Sequence, residues 1–419
     1  MADGPWRVRG QIMKAKVERS LNLVAGWVEE NGYTGYDPGD GQLSFLRHFA
    51  FRNHFLERLL TGGVFRTPFN IRPLLGIAPH TSPKGMGYMA WGYLRRYRLT
   101  GDERFARRAV ACLDWLIEHR APYSSEFCWG NHYTVTTRAD RTPRREPTMV
   151  DSSLIGQVFV DAYEMLGNER YRQVASSVCD WILSVPREKT DRGHCLSHLA
   201  CQQMSIHSSN MLGAALLARV GSLMNRSREE VDVVRDAMLY SCSRQRQDGA
   251  WFYGEGPQYQ WMDNFHTGYC LDSLKGYTDC TGKKEFADQL QRGYCYFKQN
   301  FFEADGRPKY HIDRTYPIDI QCAAQSIDTL ALFSDCDGEA LDIACKVADW
   351  TIDNIQAPEG YFYYRDLGWK TIRTPMLHQG QGTMFKALAH LAAKLTWRLV
   401  DQPSTGTNLL RHEAAPAEK

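Results

Sequence analysis

"ACLDWLIEH" (111–119), "SVCDWILSV" (177–185) and "KVADWTIDN" (346–354) set the same Asp-Trp pair in the same apolar frame three times. The pairs are Asp114-Trp115, Asp180-Trp181 and Asp349-Trp350, spaced by 66 and 169 residues. The longer interval is close to three units of about 56 residues, and recurrence at such a period signals one supersecondary unit stacked on copies of itself. Two glycine series supply the rest of the unit. "LTGDERF" at Gly101, "LGNERY" at Gly167, "CTGKKEF" at Gly282 and, more weakly, "CDGEAL" at Gly338 precede helices. Glycine there suits the left-handed residue that ends one helix before the next begins. The second series follows the helices in "CWGNHY" (Gly130), "DRGHCLSH" (Gly193), "DGAWFYGE" (Gly249), "DGRPKYHI" (Gly306) and "EGYFYYRD" (Gly360), at intervals of 63, 56, 57 and 54.

Each unit therefore reads as helix, glycine turn, helix, long aromatic loop. Ala323, Ile327, Leu330 and Ala331 keep the helical period and not the alternation of a strand. First helices fall near Tyr88, Leu154, Met211, Thr267, Ala323 and Gln381, which makes six helical hairpins. Open solenoids use shorter units, typically ~34 to 47 residues. The spacing predicts an all-α protein, an (α/α)6 toroid in which six hairpins close into a double ring. Residues 1–60 are expected to pack on it as a helix and loop, 61–400 to form the ring, and the aperiodic 401–419 to be a mobile tail.

The composition narrows the functions. Of 419 residues, 43% are hydrophobic, enough for a large core. Fifty Lys and Arg against 48 Asp and Glu leave +2, without the basic excess that nucleic-acid binding requires. The opening residues lack the apolar run of a signal peptide, and no stretch approaches the ~20 apolar residues of a membrane span. A cytoplasmic protein without membrane insertion is expected; its oligomeric state is not encoded. Twelve cysteines include no C-x-x-C pair, and Cys112, Cys179, Cys270, Cys322 and Cys345 sit in helical apolar patterns, as reduced small hydrophobes do. No metal and no cofactor are expected. His194 and His198 lack the Glu of a zinc-binding H-E-x-x-H, and Asp37 and Asp40 in "GYDPGDG" lack the Glu of a calcium loop, so they read as a turn. Phosphate-loop, dinucleotide and G-x-S-x-G signatures are missing too.

In such a ring the aromatic loops and the starts of the inner helices share one rim, and there the polar residues collect. Asp263, His266, Asp319, Tyr316 and His378 are the candidate catalytic groups. Candidate substrate contacts are Trp129, Asn131, His132, Asn210, Trp251, Tyr253, Asn264, Gln321, Tyr364, Arg365 and Gln381. Aromatic faces stack on sugar rings, while amides and carboxylates bind hydroxyls, so the mixture suits an oligosaccharide or polysaccharide. Helix capping is the competing explanation for Asp151, Asn210 and Asp263, but "DNFH" holds more polar groups than one cap needs. Two carboxylates flanking a glycosidic bond would suit hydrolysis. A Tyr/His pair across a uronate C5, with Arg365 neutralising the carboxylate, would suit epimerisation or elimination. Glycan binding without catalysis is the alternative of another class.

"ENGYTGYDPGD", "WMDNFHTGYCLDSL", "YPIDIQCAAQSIDTL" and "PMLHQGQGTMFKAL" resemble a family of uncharacterised bacterial and archaeal proteins, over roughly residues 20 to 395. Its members are encoded among polysaccharide-biosynthesis genes and belong to the six-hairpin toroid superfamily of glycosidases, sugar epimerases and lyase domains. "DNFHT" is also similar to the "DYHT" stretch of glucuronyl C5-epimerase toroid domains. The resemblance implies a carbohydrate-active enzyme, glycoside-hydrolase-like in the first instance. This chain departs from the family pattern at Gly39, where an aromatic is expected, and at His378–Gly382, where the pattern is "RWGQAW".

Overall fold

The structure is a computed structural model and describes residues 4–50, 53–136, 141–224 and 228–401. Its helices are α1 (Gly4–Glu30), α2 (His54–Arg66), α3 (Pro83–Thr100), α4 (Glu103–Glu118), α5 (Met149–Leu166), α6 (Glu169–Ser184) and α7 (His207–Met224). They continue as α8 (Arg228–Cys242), α9 (Asn264–Thr281), α10 (Ala287–Asn300), α11 (Ile320–Phe333), α12 (Ala340–Ile355) and α13 (Thr383–Asp401). The odd-numbered helices from α3 to α13 form the inner ring. Each packs on the next, and α13 returns to α3, so the ring is closed. The architecture is the (α/α)6 toroid.

Burial explains which helices lie inside. Inner α5 is buried almost continuously from Met149 to Val160, whereas outer α4 buries only Ala106, Ala109, Cys112, Leu113 and Leu116, a single stripe. Ser82, Thr148, Asp263 and Asp319 cap inner helices, and Asp102 and Asn168 cap outer ones, each accepting from a first-turn N–H. Gly101, Gly167 and Gly282 end their helices at φ +68°, +67° and +68°, as the turn series requires. Gly338 has no positive φ; α11 ends at Ser334 instead.

The loop glycines reveal how the ring closes. A Cβ at Gly193 would meet the Asp236 carbonyl of α8 at 2.1 Å, at Gly249 the Arg292 carbonyl of α10 at 2.4 Å, and at Gly306 the Lys346 carbonyl of α12 at 2.5 Å. Each aromatic loop thus leans on the backbone of the next outer helix. The fourth glycine of this kind, Gly360, meets the carbonyl of Leu23 on α1 at 2.5 Å. So α1 occupies the outer position of the sixth hairpin, with α13 as its inner partner. Trp6 Nε1 donates to Asp342 and Lys16 pairs with Asp349, fixing α1 against α12. Residues 1–60, expected as an added piece, divide: α1 completes the ring, and the residues after it cross the rim. The tail expected at 401–419 lies outside the described residues apart from Asp401.

Among the described residues strands occur only in the loops: β1 (Val135–Thr136) with β2 (Arg141–Thr142), β3 (Arg187–Thr190) with β4 (Gly193–Leu196), and β5 (Ile318–Asp319), β6 (Arg365–Asp366) and β7 (Thr371–Ile372) in a three-stranded sheet. All twelve cysteines are free thiols, and burial pushes Cys112 up to about 12. No described helix is long and apolar enough to cross a membrane.

Candidate active site at the mouth of the ring

The first turns of the inner helices meet at one mouth. Asp263 caps α9 and does more than a cap requires. One carboxylate oxygen accepts from the His266 backbone N–H at 3.0 Å; the other lies 2.7 Å from His266 Nδ1 and accepts from Trp261 Nε1 at 3.2 Å. Burial pushes the Asp263 carboxyl up, but the His266 charge and these hydrogen bonds outweigh it and hold the group below the usual range. With Nδ1 taken, Nε2 is the ring nitrogen of His266 left to exchange a proton. Trp261 stacks on Tyr253 with centroids 4.4 Å apart, and Tyr253 stands edge-on to His266 at 4.6 Å. The pair forms an aromatic wall beside the imidazole.

A second carboxylate–imidazole pair lies along the mouth. His378, in the π-helical turn Leu377–Gly382 before α13, contacts Asp37 through Nδ1. Burial opposes ionisation of Asp37, but His378, His80 and Lys84 together hold it low. Lys84 in the first turn of α3 pairs with Asp151 in the first turn of α5 at 2.8 Å. Both ring nitrogens of His80 and one oxygen of Asp151 are buried without a hydrogen-bond partner among the described residues. Tyr133, whose ionisation burial and the Asp37 charge suppress, and His132 pack against His80. Between the two pairs, Tyr269 exchanges a hydroxyl hydrogen bond with Tyr88 at 3.1 Å and accepts another from Gln321. Two clefts open beside the Asp37 group, one of 600 Å³ reaching Pro38, Gly39 and Gln379, the other of 470 Å³ reaching His132 and Tyr133.

The structure thus gathers Asp263, His266, Asn264, Tyr253, Gln321, His132 and His378 at the mouth and gives other work to several expected residues. Trp129 and Trp251 are almost wholly buried, and their indole N–H groups donate at 2.9 Å to Leu116 and Ser241 carbonyls at the ends of α4 and α8. Tyr364 is equally buried. None of these rings offers a face to sugar. Asn210 is bound to Leu196, Ala237 and Ser241, and Gln381 to both backbone groups of Phe362; these amides fasten loops to inner helices. Arg365 faces Asp319 across the β5–β6 ladder and binds it at 2.5 Å, so its charge is already matched and no uronate partner remains there. Asp319 is consequently cap and counter-ion. Tyr316 stands exposed on a loop, its hydroxyl 3.5 Å from Arg307, away from the convergent groups. Asn131 is half-buried, and its carbonyl accepts from Arg145.

Asp37, His80, Lys84, Tyr133 and Trp261 were not among the sequence candidates. "GYDPGD" carried the signal, but it read as a turn because the partner of Asp37 lies 341 positions away. Asp40 does serve the turn: the buried Arg72 grips both its oxygens at 2.8 Å, leaving the Asp37 carboxylate free to face His378. No group of three His, Cys, Asp or Glu side chains among the described residues is arranged to hold a metal.

Two measurements follow from this placement. Trp251→Ala should lower stability by about 3–5 kcal/mol, the usual cost of emptying a core indole site, with sugar affinity unchanged in the folded fraction. Burial, with His80 nearby, lowers His132 to about 4, and burial with Arg95 lowers His390 to about 4. A base with a depressed folded pKa contributes stability above its unfolded value, near 6.5, and loses it as pH falls towards the folded value. Thermal melts should therefore fall steadily from pH 7 to pH 4, and less in a His132→Gln/His390→Gln double variant.

No family model matches the chain, and no curated protein matches it by sequence. Solved structures do match. A cellobiose 2-epimerase from Bacillus thermoamylovorans B4167 superposes with TM-score 0.56 at 9% identity, over 77% of this chain and 90% of that one. A GH76 α-mannanase from Bacteroides thetaiotaomicron gives 0.60 at 11%, over 78% and 90%. The Lin0763 protein from Listeria innocua gives 0.62 at 12%, over 91% and 98%. The chain shares their six-hairpin toroid fold.

Proposed function

We propose that the protein is a sugar epimerase working by proton transfer between two imidazoles at the mouth of the ring. The observation that carries this reading is the pair of histidines: His266 is hydrogen-bonded at Nδ1 to the buried Asp263, and His378 meets the buried Asp37 through Nδ1. In one direction the Nε2 of one histidine takes a proton from a sugar carbon next to a carbonyl or carboxyl, and the electron pair moves onto that oxygen. The Nε2–H of the other histidine returns a proton to the opposite face, inverting the carbon. In this reading Lys84, which interacts electrostatically with Tyr269, and the Tyr269 hydroxyl stabilise the developing oxyanion. Asp263 and Asp37 are positioning residues, and Trp261 with Tyr253 supplies the stacking face.

Hydrolysis has less support. Its general acid needs a carboxyl pushed up towards neutrality. Around this mouth Asp37, Asp263 and Glu255 are held low instead, and Asp319 is tied to Arg365. Cellobiose 2-epimerases among the structural neighbours make the C2 carbon of a reducing disaccharide the first substrate to test; C5 of a uronate is the second. In heavy water the product should carry deuterium at the inverted carbon. Reducing ends released without exchange would establish a hydrolase, an absorbing unsaturated uronate a lyase, and affinity without turnover a binding protein.

A further inference from the structure

The 600 Å³ cleft beside Asp37 is walled on its other side by α2, which projects the exposed Phe55 and Leu59 into it. Phe65 and Val135 add apolar surface, and Arg58 and Arg66 stand on the same wall. Two features of α2 are unexplained by the chain's own packing. The first is a pair of glycines, Gly62 and Gly63, on the groove side. A Cβ at Gly63 would touch nothing within 4 Å, and one at Gly62 would touch only the tip of Arg66 at 3.9 Å. Each weakens the helix relative to alanine with no backbone angle or close approach that requires it. Nothing in the described chain requires the space they leave open. The second feature is charge. Arg47, Arg58 and Arg66 are exposed and have no carboxylate partner among the described residues, while the segment's acid, Glu57, is buried against Arg141. The segment also exposes Phe45, Phe49, Phe69 and Leu74.

We infer that this groove binds the hydrocarbon chain of an anionic amphiphile, laid along Gly62 and Gly63 with its head group against Arg58 and Arg66. Apolar walls, a floor of two glycines that only the Arg66 tip approaches, and guanidinium groups without carboxylate partners together fit that chemistry. The groove ends at Pro38, Gly39 and Gln379, the residues that follow Asp37 and His378, so a bound amphiphile would stand at the entrance to the mouth. This goes beyond the epimerase reading and does not need it.

The probe is decyl phosphate below its micelle concentration, followed by titration calorimetry at low salt, with decyl maltoside as the neutral control. Saturable one-to-one binding of decyl phosphate is expected. Arg58→Glu/Arg66→Glu should weaken it at least tenfold while changing decyl maltoside little. Gly62→Leu/Gly63→Leu should abolish binding of both, with the melting temperature unchanged or higher, because a glycine pair in a helix is replaced by good helix formers. His266→Gln should bind decyl phosphate as the parent does, so loss of epimerisation and loss of this site are read separately. The inference is overturned by non-saturable binding, by glycine replacements that leave affinity intact, by a dimer in light scattering that Leu59→Glu dissociates, or by binding to phosphatidylglycerol vesicles without binding of the monomeric probe.

Discussion

His266→Gln should lower the rate of sugar inversion by about 10²- to 10⁴-fold, the range lost when a positioned acid–base group is removed. His378→Gln should do the same, and the two variants should then part company. With one imidazole gone, the other can still remove the proton on its own face. Each variant should therefore exchange protium for deuterium in one epimer only, and in opposite epimers, although neither completes the inversion at speed. Proton NMR of the two epimers incubated separately in heavy water reads this directly. Loss of exchange from both epimers in both variants, in folded protein, would remove the two-base mechanism. Asp263→Asn retains an oxygen for the helix cap but loses the charge that orients His266, so it should lower kcat with little effect on stability.

The second large effect concerns the scaffold. Gly193→Ala places a methyl group 2.1 Å from the Asp236 carbonyl at φ +90°. Left-handed strain of about 1–3 kcal/mol joins an overpacking cost of similar size, giving about 2–6 kcal/mol. Gly101→Ala is the control. It shares the left-handed backbone at φ +68° but meets nothing within 4 Å, so it should lose only about 1–2 kcal/mol. Chemical denaturation of both variants separates conformational strain from collision; equal losses would show that the loop does not lean on the outer helix as described.

These glycines also mark what a sequence reader can and cannot extract. Gly101 and Gly167 recur because each ends a helix in the left-handed conformation, and Gly193, Gly249 and Gly306 recur because the same contact with an outer-helix carbonyl recurs, so the hairpins can be counted in the sequence. The sixth outer helix was not, since α1 carries neither Asp-Trp pair nor turn glycine, and its place is set by a contact to Gly360 from the far end of the chain. The site was legible in part for a related reason. Asp263 and His266 are three residues apart on one helix, so their partnership can be read locally. Asp37 and His378 meet only after the ring closes. Trp129 and Trp251 misled because residues repeated with the fold look like a conserved aromatic rim, when the repetition belongs to the packing of each loop beneath its helix. Composition cannot distinguish an indole that faces sugar from one that faces a helix end.

Joining the first helix to the last also sets a timetable for synthesis. At roughly 5–20 residues per second, α1 leaves the ribosome about 20–70 seconds before α13 does. Throughout that interval Val17, Leu21, Val24 and Val28, all fully buried in the finished ring, have no inner helix to cover them. Until α13 emerges the nascent chain is thus a five-hairpin arc preceded by a helix whose apolar side is uncovered. A circular permutant that begins at α3 and links α13 to α1 through a short loop would make the sixth hairpin local. It should refold faster and with less aggregation than the parent, at similar equilibrium stability.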